Sequence, residues 1–94
     1  MPDVKTLAVI GSGQMGGGIA QVAATSGISA IAYDAHEASL DKAKKLHAKL
    51  MARAVEKGRM EQADADAALG RITYTTKWDD MAGADWVVEA AVEN

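Results

Sequence analysis

The stretch Thr6-Leu7-Ala8-Val9-Ile10-Gly11-Ser12-Gly13-Gln14-Met15-Gly16 decides how this chain is read. Its first five residues are a short, nearly continuous apolar run that stops at glycine. Such a run suits a strand buried on both faces, as in a parallel sheet. The next six residues have the spacing G-x-G-x-x-G. Beyond them Met15, Ile19, Val22 and Ala23 recur at i, i+4, i+7 and i+8, which is one face of a helix. That helix is expected from about Gln14 to Ser26, with Gly27 just past its end as a left-handed cap.

Working outward, a second apolar run spans Ile28 to Tyr33 and ends at Asp34. A long helix is expected from near Glu37 to about Lys57, stopped by Gly58, with the stripe Leu40, Ala43, His47, Leu50 and Ala54. A shorter helix over Glu61 to Leu69 is expected to end at Gly70. Strand three is read at Arg71 to Thr75, one helical turn at Trp78 to Met81, and strand four at Asp85 to Ala90. Strands alternating with helices argue an α/β fold, because parallel neighbours need crossover connections. Six of the nine glycines fall within the first 27 residues, so the early set reads as building a site and the later ones as punctuation. Gly17 and Gly18 each cost a helix roughly 1 kcal/mol against alanine, which points to a packing or ligand reason.

Each glycine of the motif has a physical task. Gly11 permits the tight turn out of the strand, Gly13 lets backbone approach a pyrophosphate, and Gly16 lets the helix lie close to the strand. The pyrophosphate then rests on the N–H groups and positive dipole end of the helix beginning near Gln14. Asp34 lies 18 residues beyond Gly16, near the offset expected for a carboxylate that accepts hydrogen bonds from a ribose diol. An acid there repels a 2′-phosphate, and no arginine stands beside it, so NAD is favoured over NADP; His36, once protonated, could touch a phosphate and argues the other way. Gly11, Ser12, Gly13, Gln14, Met15, Gly16 and Asp34 are thus the candidate cofactor-binding residues. Plainer readings stay open: a tight turn with close helix packing for the glycines, and a helix N-cap for Asp34, which has capping-box spacing to Glu37.

These residues resemble a family. GSGQMGGGIAQVAATSG, an Asp closing strand two, and the ending DWVVEAAVEN are similar to the N-terminal NAD-binding domain of the 3-hydroxyacyl-CoA dehydrogenases, over about Lys5 to Asn94. The resemblance implies a Rossmann-type, doubly wound parallel sheet, here its first four strands in the order 3-2-1-4. It implies NAD as cofactor and oxidation of an L-3-hydroxyacyl-CoA to the 3-oxoacyl-CoA, in fatty acid β-oxidation or butanoate metabolism. It places Ala90 and Glu93 beside the nicotinamide ribose and Lys57 at a CoA phosphate, where a solvated lysine at a helix end is the plainer reading. Some members carry a serine where this chain has Leu50. The family's histidine base and its glutamate lie beyond strand four, so no catalytic residue is expected here and the piece alone is expected inactive. His36 stands at the adenosine side, and His47 reads as a packed histidine. Residues 1–94 are read as part of a dinucleotide-binding domain, the rest of it and a helical substrate and dimerisation domain lying elsewhere, with a homodimer expected at full length.

Composition excludes several classes. With 94 residues the chain allows one small domain or a piece of one, and 49% apolar with 24% charged residues fits a globular fold. A net charge of −3 speaks against a nucleic-acid footprint, and no apolar stretch approaches membrane-spanning length. There is no cysteine, so no disulfide framework, thiolate metal site or thiol nucleophile is available; cytoplasm is the default compartment. Asp79, Asp80, Asp85, Glu89 and Glu93 match no Ca²⁺-loop spacing, and most of them read as turn and helix-start residues. Trp78 and Trp86 are expected in or near the core. Two other functions remain open: a related NAD-dependent dehydrogenase of the 3-hydroxyisobutyrate or gulonate type, and a non-catalytic nucleotide-binding module.

Overall fold

The computed structural model describes residues 5–11 and 14–89, the side chains of 14–17 excepted. In order come β1 (Thr6–Ile10), α1 (Gln14–Thr25), β2 (Ser29–Tyr33), α2 (Glu37–Glu56), α3 (Gln62–Gly70), β3 (Ile72–Thr75), a 3-10 turn (Trp78–Met81) and β4 (Trp86–Glu89). The strands form one sheet in the order β3-β2-β1-β4. Every pairing is parallel, with Thr6 opposite Ser29, Ala30 opposite Ile72 and Leu7 opposite Trp86. The parallel sheet is the one expected from the alternation, and its order is the Rossmann-type order that the resemblance implies.

Alternation along the strands sorts the side chains. Val9, Ala30, Ala32 and Ile72 join Ala20, Ala23 and Ala24 of α1, Leu40 and Met51 of α2, and Ala65 and Ala68 of α3 in one core. Seven of these eleven are alanines. Small side chains on both surfaces let α1 lie close over β1 and β2, so the helix excludes water without bulky interdigitation. Fully buried Val9 contributes about 1.5–3 kcal/mol by leaving water.

Two helices end alike. At α1, Gly27 (φ +87°) donates to the Ala24 carbonyl at 3.2 Å and Ile28 to Ala23 at 2.9 Å. At α2, Gly58 (φ +73°) donates to Val55 at 3.0 Å and Arg59 to Ala54 at 2.9 Å. Both are Schellman turns, whose left-handed residue favours glycine. Arg71 adds a guanidinium bond of 2.7 Å to the Ala24 carbonyl, placing a cation at the negative end of α1.

Several expectations need correction. On α2 the buried residues are Leu40, Ala43, His47 and Met51, with Leu50 and Ala54 only half-buried. The expected stripe repeats every 3.5 residues, whereas a straight helix turns every 3.6, so the stripe drifts onto Met51. Gly70 does not stop α3; it is the last helical residue, and Arg71 caps the helix with φ −85° and ψ −8°. A Cβ added at Gly18 would meet nothing within 4 Å, so packing among the described residues does not explain that glycine. Trp78 and Trp86 are 60% and 56% exposed rather than core residues. Trp86 lies on β4, which among the described residues is paired along one edge only, and Trp78 touches the ring of Tyr33 edge-on at 5.2 Å. β4 begins at Trp86, with Asp85 just before it; Ala90 lies outside the described residues. Among the described residues, no helix is long and apolar enough to cross a membrane.

Candidate functional site at the carboxyl ends of the strands

β1 runs straight into the glycine motif. Gly11 has φ +96°, a conformation that side chains with a Cβ rarely adopt, and its amide donates to the Tyr33 carbonyl at 2.7 Å. The turn is therefore pinned to the carboxyl end of β2. Gln14, Met15 and Gly16 form the first turn of α1, whose leading N–H groups have no partner inside the helix. Ser12 and Gly13 lie outside the described residues, as do the side chains of Gln14 and Met15.

Asp34 follows β2 directly. Its amide donates to the Thr75 carbonyl at 3.1 Å, which ties it to the end of β3. Thr75 is itself held: its hydroxyl donates to the Asp80 carboxylate and accepts the Lys77 amide at 3.0 Å. Asp34 thus stands on a braced strand end, with its side chain 15% exposed. One carboxylate oxygen, Oδ1, accepts the His36 amide at 2.9 Å, an Asx turn that orients the carboxylate. Nδ1 of the His36 ring lies 3.4 Å from the same oxygen, and the ring is 83% exposed. His36, not Asp34, occupies the N-cap of α2, in extended conformation and without a side-chain capping bond. The Asp-x-His spacing could have signalled this turn; the ring's approach to the carboxylate could not be read from it.

Gly11, the start of α1 and Asp34 come together at the carboxyl ends of the strands. β1 is flanked there by β2 on one side and β4 on the other, and its two neighbours are reached by different routes. Such a switch point is where open α/β sheets bind ligands. A glycine turn, a helix start and an oriented carboxylate fit a dinucleotide: amides for the pyrophosphate, an acceptor for the ribose diol. Lys57 is elsewhere, exposed at the C-cap of α2, about 30 Å of helix from the Asp34 end. Ala90 and Glu93 lie outside the described residues.

Three other titratable groups, His47, Tyr74 and Asp85, have structural partners. His47, 1% exposed, shares a 2.6 Å hydrogen bond between Nδ1 and the Tyr74 hydroxyl. Burial pushes the Tyr74 phenol up to about 12. Asp85 was read as a turn residue, and its second role was missed: Oδ2 accepts the Lys5 and Thr6 amides at 2.9 and 3.0 Å. Those bonds, the Lys5 amide first, hold its carboxyl below the usual range. Among the described residues no three His, Asp or Glu side chains converge to hold a metal.

Comparison with known proteins places this arrangement. Residues 6–94 match a family model described as 3-hydroxyacyl-CoA dehydrogenase, NAD binding domain. The chain is 49% identical over 86 residues to a probable 3-hydroxybutyryl-CoA dehydrogenase of Deinococcus radiodurans, covering 92% of this chain and 31% of that protein. It is 42% identical over 92 residues to the fatty acid oxidation complex subunit alpha of Pseudomonas putida, covering 98% of this chain and 13% of the relative. The crystal structure of an (S)-3-hydroxybutyryl-CoA dehydrogenase from Ralstonia eutropha superposes with a TM-score of 0.93 at 36% identity, over 98% of this chain and 32% of that one. The chain therefore spans a third or less of the length of these relatives.

Proposed function

The chain belongs to the 3-hydroxyacyl-CoA dehydrogenase NAD-binding-domain family, and from that membership we propose that it is the cofactor-binding part of an enzyme oxidising L-3-hydroxyacyl-CoA to 3-oxoacyl-CoA. The observation that carries this reading is the oriented Asp34 carboxylate beside the Gly11 turn and the start of α1. NAD, the cofactor the family implies, supplies the hydride acceptor when bound. Gly11, Ser12, Gly13, Gln14, Met15 and Gly16 hold the pyrophosphate through backbone amides at the helix start. Asp34 accepts the adenosine ribose hydroxyls and repels a 2′-phosphate. Ala90 and Glu93 border the nicotinamide ribose, and Lys57 meets a CoA phosphate at the far end of α2; both assignments rest on the family resemblance.

The histidine base, its glutamate and a helical substrate and dimerisation domain belong, in this reading, to the portion of the relatives that this chain does not span. The intact protein acts as a homodimer in the cytoplasm on acyl-CoA thioesters. Names of the relatives, 3-hydroxybutyryl-CoA dehydrogenase and fatty acid oxidation complex subunit alpha, support the thioester substrate. The test is to supply the intact protein with 3-hydroxybutyryl-CoA and NAD and follow NADH at 340 nm. NADH formation that fails with free 3-hydroxyisobutyrate or gulonate supports the reading. Turnover of a free hydroxyacid but not the thioester overturns the substrate assignment; NAD binding without turnover of any of them leaves a nucleotide-binding module.

A further inference from the structure

Resting on the assignment of Asp34 to the adenosine ribose, we propose that His36 is a second determinant of dinucleotide choice, acting through its charge. Protonated, its imidazolium pairs with the Asp34 carboxylate and offers a cation to a 2′-phosphate. Neutral, it leaves the carboxylate's charge to repel that phosphate. The preference for NAD over NADP therefore narrows as pH falls.

The geometry is specific. The His36 amide donates to Asp34 Oδ1 at 2.9 Å, which fixes the backbone of His36 beside the carboxylate. Nδ1 lies 3.4 Å from that same oxygen. The ring is 83% exposed while the Asp34 side chain is 15% exposed, so the imidazole is the more solvent-facing of the two. The ring makes no capping bond to α2 and is not committed to that helix. Imidazole is the side chain that ordinarily changes charge between pH 5 and 8. The further charges on the elements meeting here are Glu37 in the first turn of α2, and Lys77, Asp79 and Asp80 beside and within the 3-10 turn. Of the last three, Asp80 is engaged by the Thr75 hydroxyl.

A 2′-phosphate itself gains a proton near pH 6, so the wild-type trend alone decides nothing and the His36→Gln variant is the reference. Calorimetric titration of the intact protein with NAD and with NADP, at about pH 8 and about pH 5.5, gives the ratio of the two Kd values without turnover. Over that range the wild-type ratio should narrow about threefold to fivefold more than the His36→Gln ratio, the scale of an exposed ion pair. His36→Arg should show the narrowed ratio already at the higher pH. Equal narrowing in wild type and His36→Gln, or a wild-type ratio in His36→Arg at the higher pH, overturns the proposal. Asp34→Asn separates the two layers. If it weakens NAD binding while the His36 variants behave as wild type, only the His36 inference falls. If it leaves NAD binding unchanged, the ribose assignment falls and takes the His36 inference with it.

Discussion

At the amino ends of the strands, Asp85 closes the first amides of β1, Arg71 closes the last carbonyls of α1, and Schellman turns at Gly27 and Gly58 finish α1 and α2. At the carboxyl ends, Gly11 turns the chain away from β1, α1 presents its first turn, and the Asp34 carboxylate is oriented by the His36 amide. Among the described residues, those bonds close the first end, while the Gly11 turn, the start of α1 and Asp34 meet at the second. The same alternation of strand and helix produces both ends, because each crossover of a parallel unit leaves from the carboxyl ends and returns to the amino ends. One end is therefore free to specialise in binding while the other carries the closure of the fold.

Substitutions at the two ends should separate these roles. The largest effect is expected for Gly13→Val, which under the proposed function puts a side chain where the pyrophosphate binds. NAD affinity should fall about 100-fold or more while the helical circular dichroism signal is kept. Unfolding instead would make the glycine loop structural first and blur the contrast. Tyr74→Phe tests the interior between the ends. It removes the partner of buried His47 Nδ1 and should cost about 1–3 kcal/mol in urea unfolding, with NAD affinity unchanged.

The same tyrosine has an alkaline signature. Its phenol is raised in the folded state to about 12, so its stabilisation is present below the ordinary phenol range near 10 and is lost as pH climbs through about 12. The wild type should lose stability over that range faster than Tyr74→Phe. Gly18→Ala should stabilise by about 0.5–1 kcal/mol, because the added methyl meets open space inside a helix; a destabilised variant would mean that something covers α1 there. The smallest effect is expected for Asp85→Asn, a modest fall in Tm at neutral pH with NAD affinity retained. The Asp85 carboxyl is lowered in the folded state. Its contribution is present above the usual carboxylate range and lost as pH falls through the lower folded value, so wild type and variant should converge in acid. A gap that persists in acid would assign the effect to something other than the Lys5 and Thr6 amides.

Much of the fold was legible because its signals are local. Apolar runs ending at Gly11 and Asp34, periodic helices and glycines at Gly27 and Gly58 are read within a dozen residues, and crossover handedness limits the topologies that can join them. The exposure of Trp86 was not legible, since an aromatic in a strand looks the same at an edge as at the centre. Met51 displaced Leu50 because the helix period differs slightly from the spacing of the apolar residues. The glycine motif and Asp34 could be proposed as a site from spacing alone. The Asx turn that orients Asp34, the bracing of its strand by Thr75 and Asp80, and the ring of His36 beside it were not, because each depends on how the chain crosses between strands.

The sequence by itself determined the order of the elements, the parallel sheet, the glycine turn and the acid at the end of β2. Those follow from backbone preferences and from apolar periodicity, which act over short separations. Tertiary structure decided which polar groups close upon one another and which remain for a ligand. Asp85 reaches Lys5 and Thr6 across 80 and 79 residues, and Arg71 reaches Ala24 across 47. Such bonds form only once parallel strands bring distant residues into register, and only then do the two ends of the sheet become different.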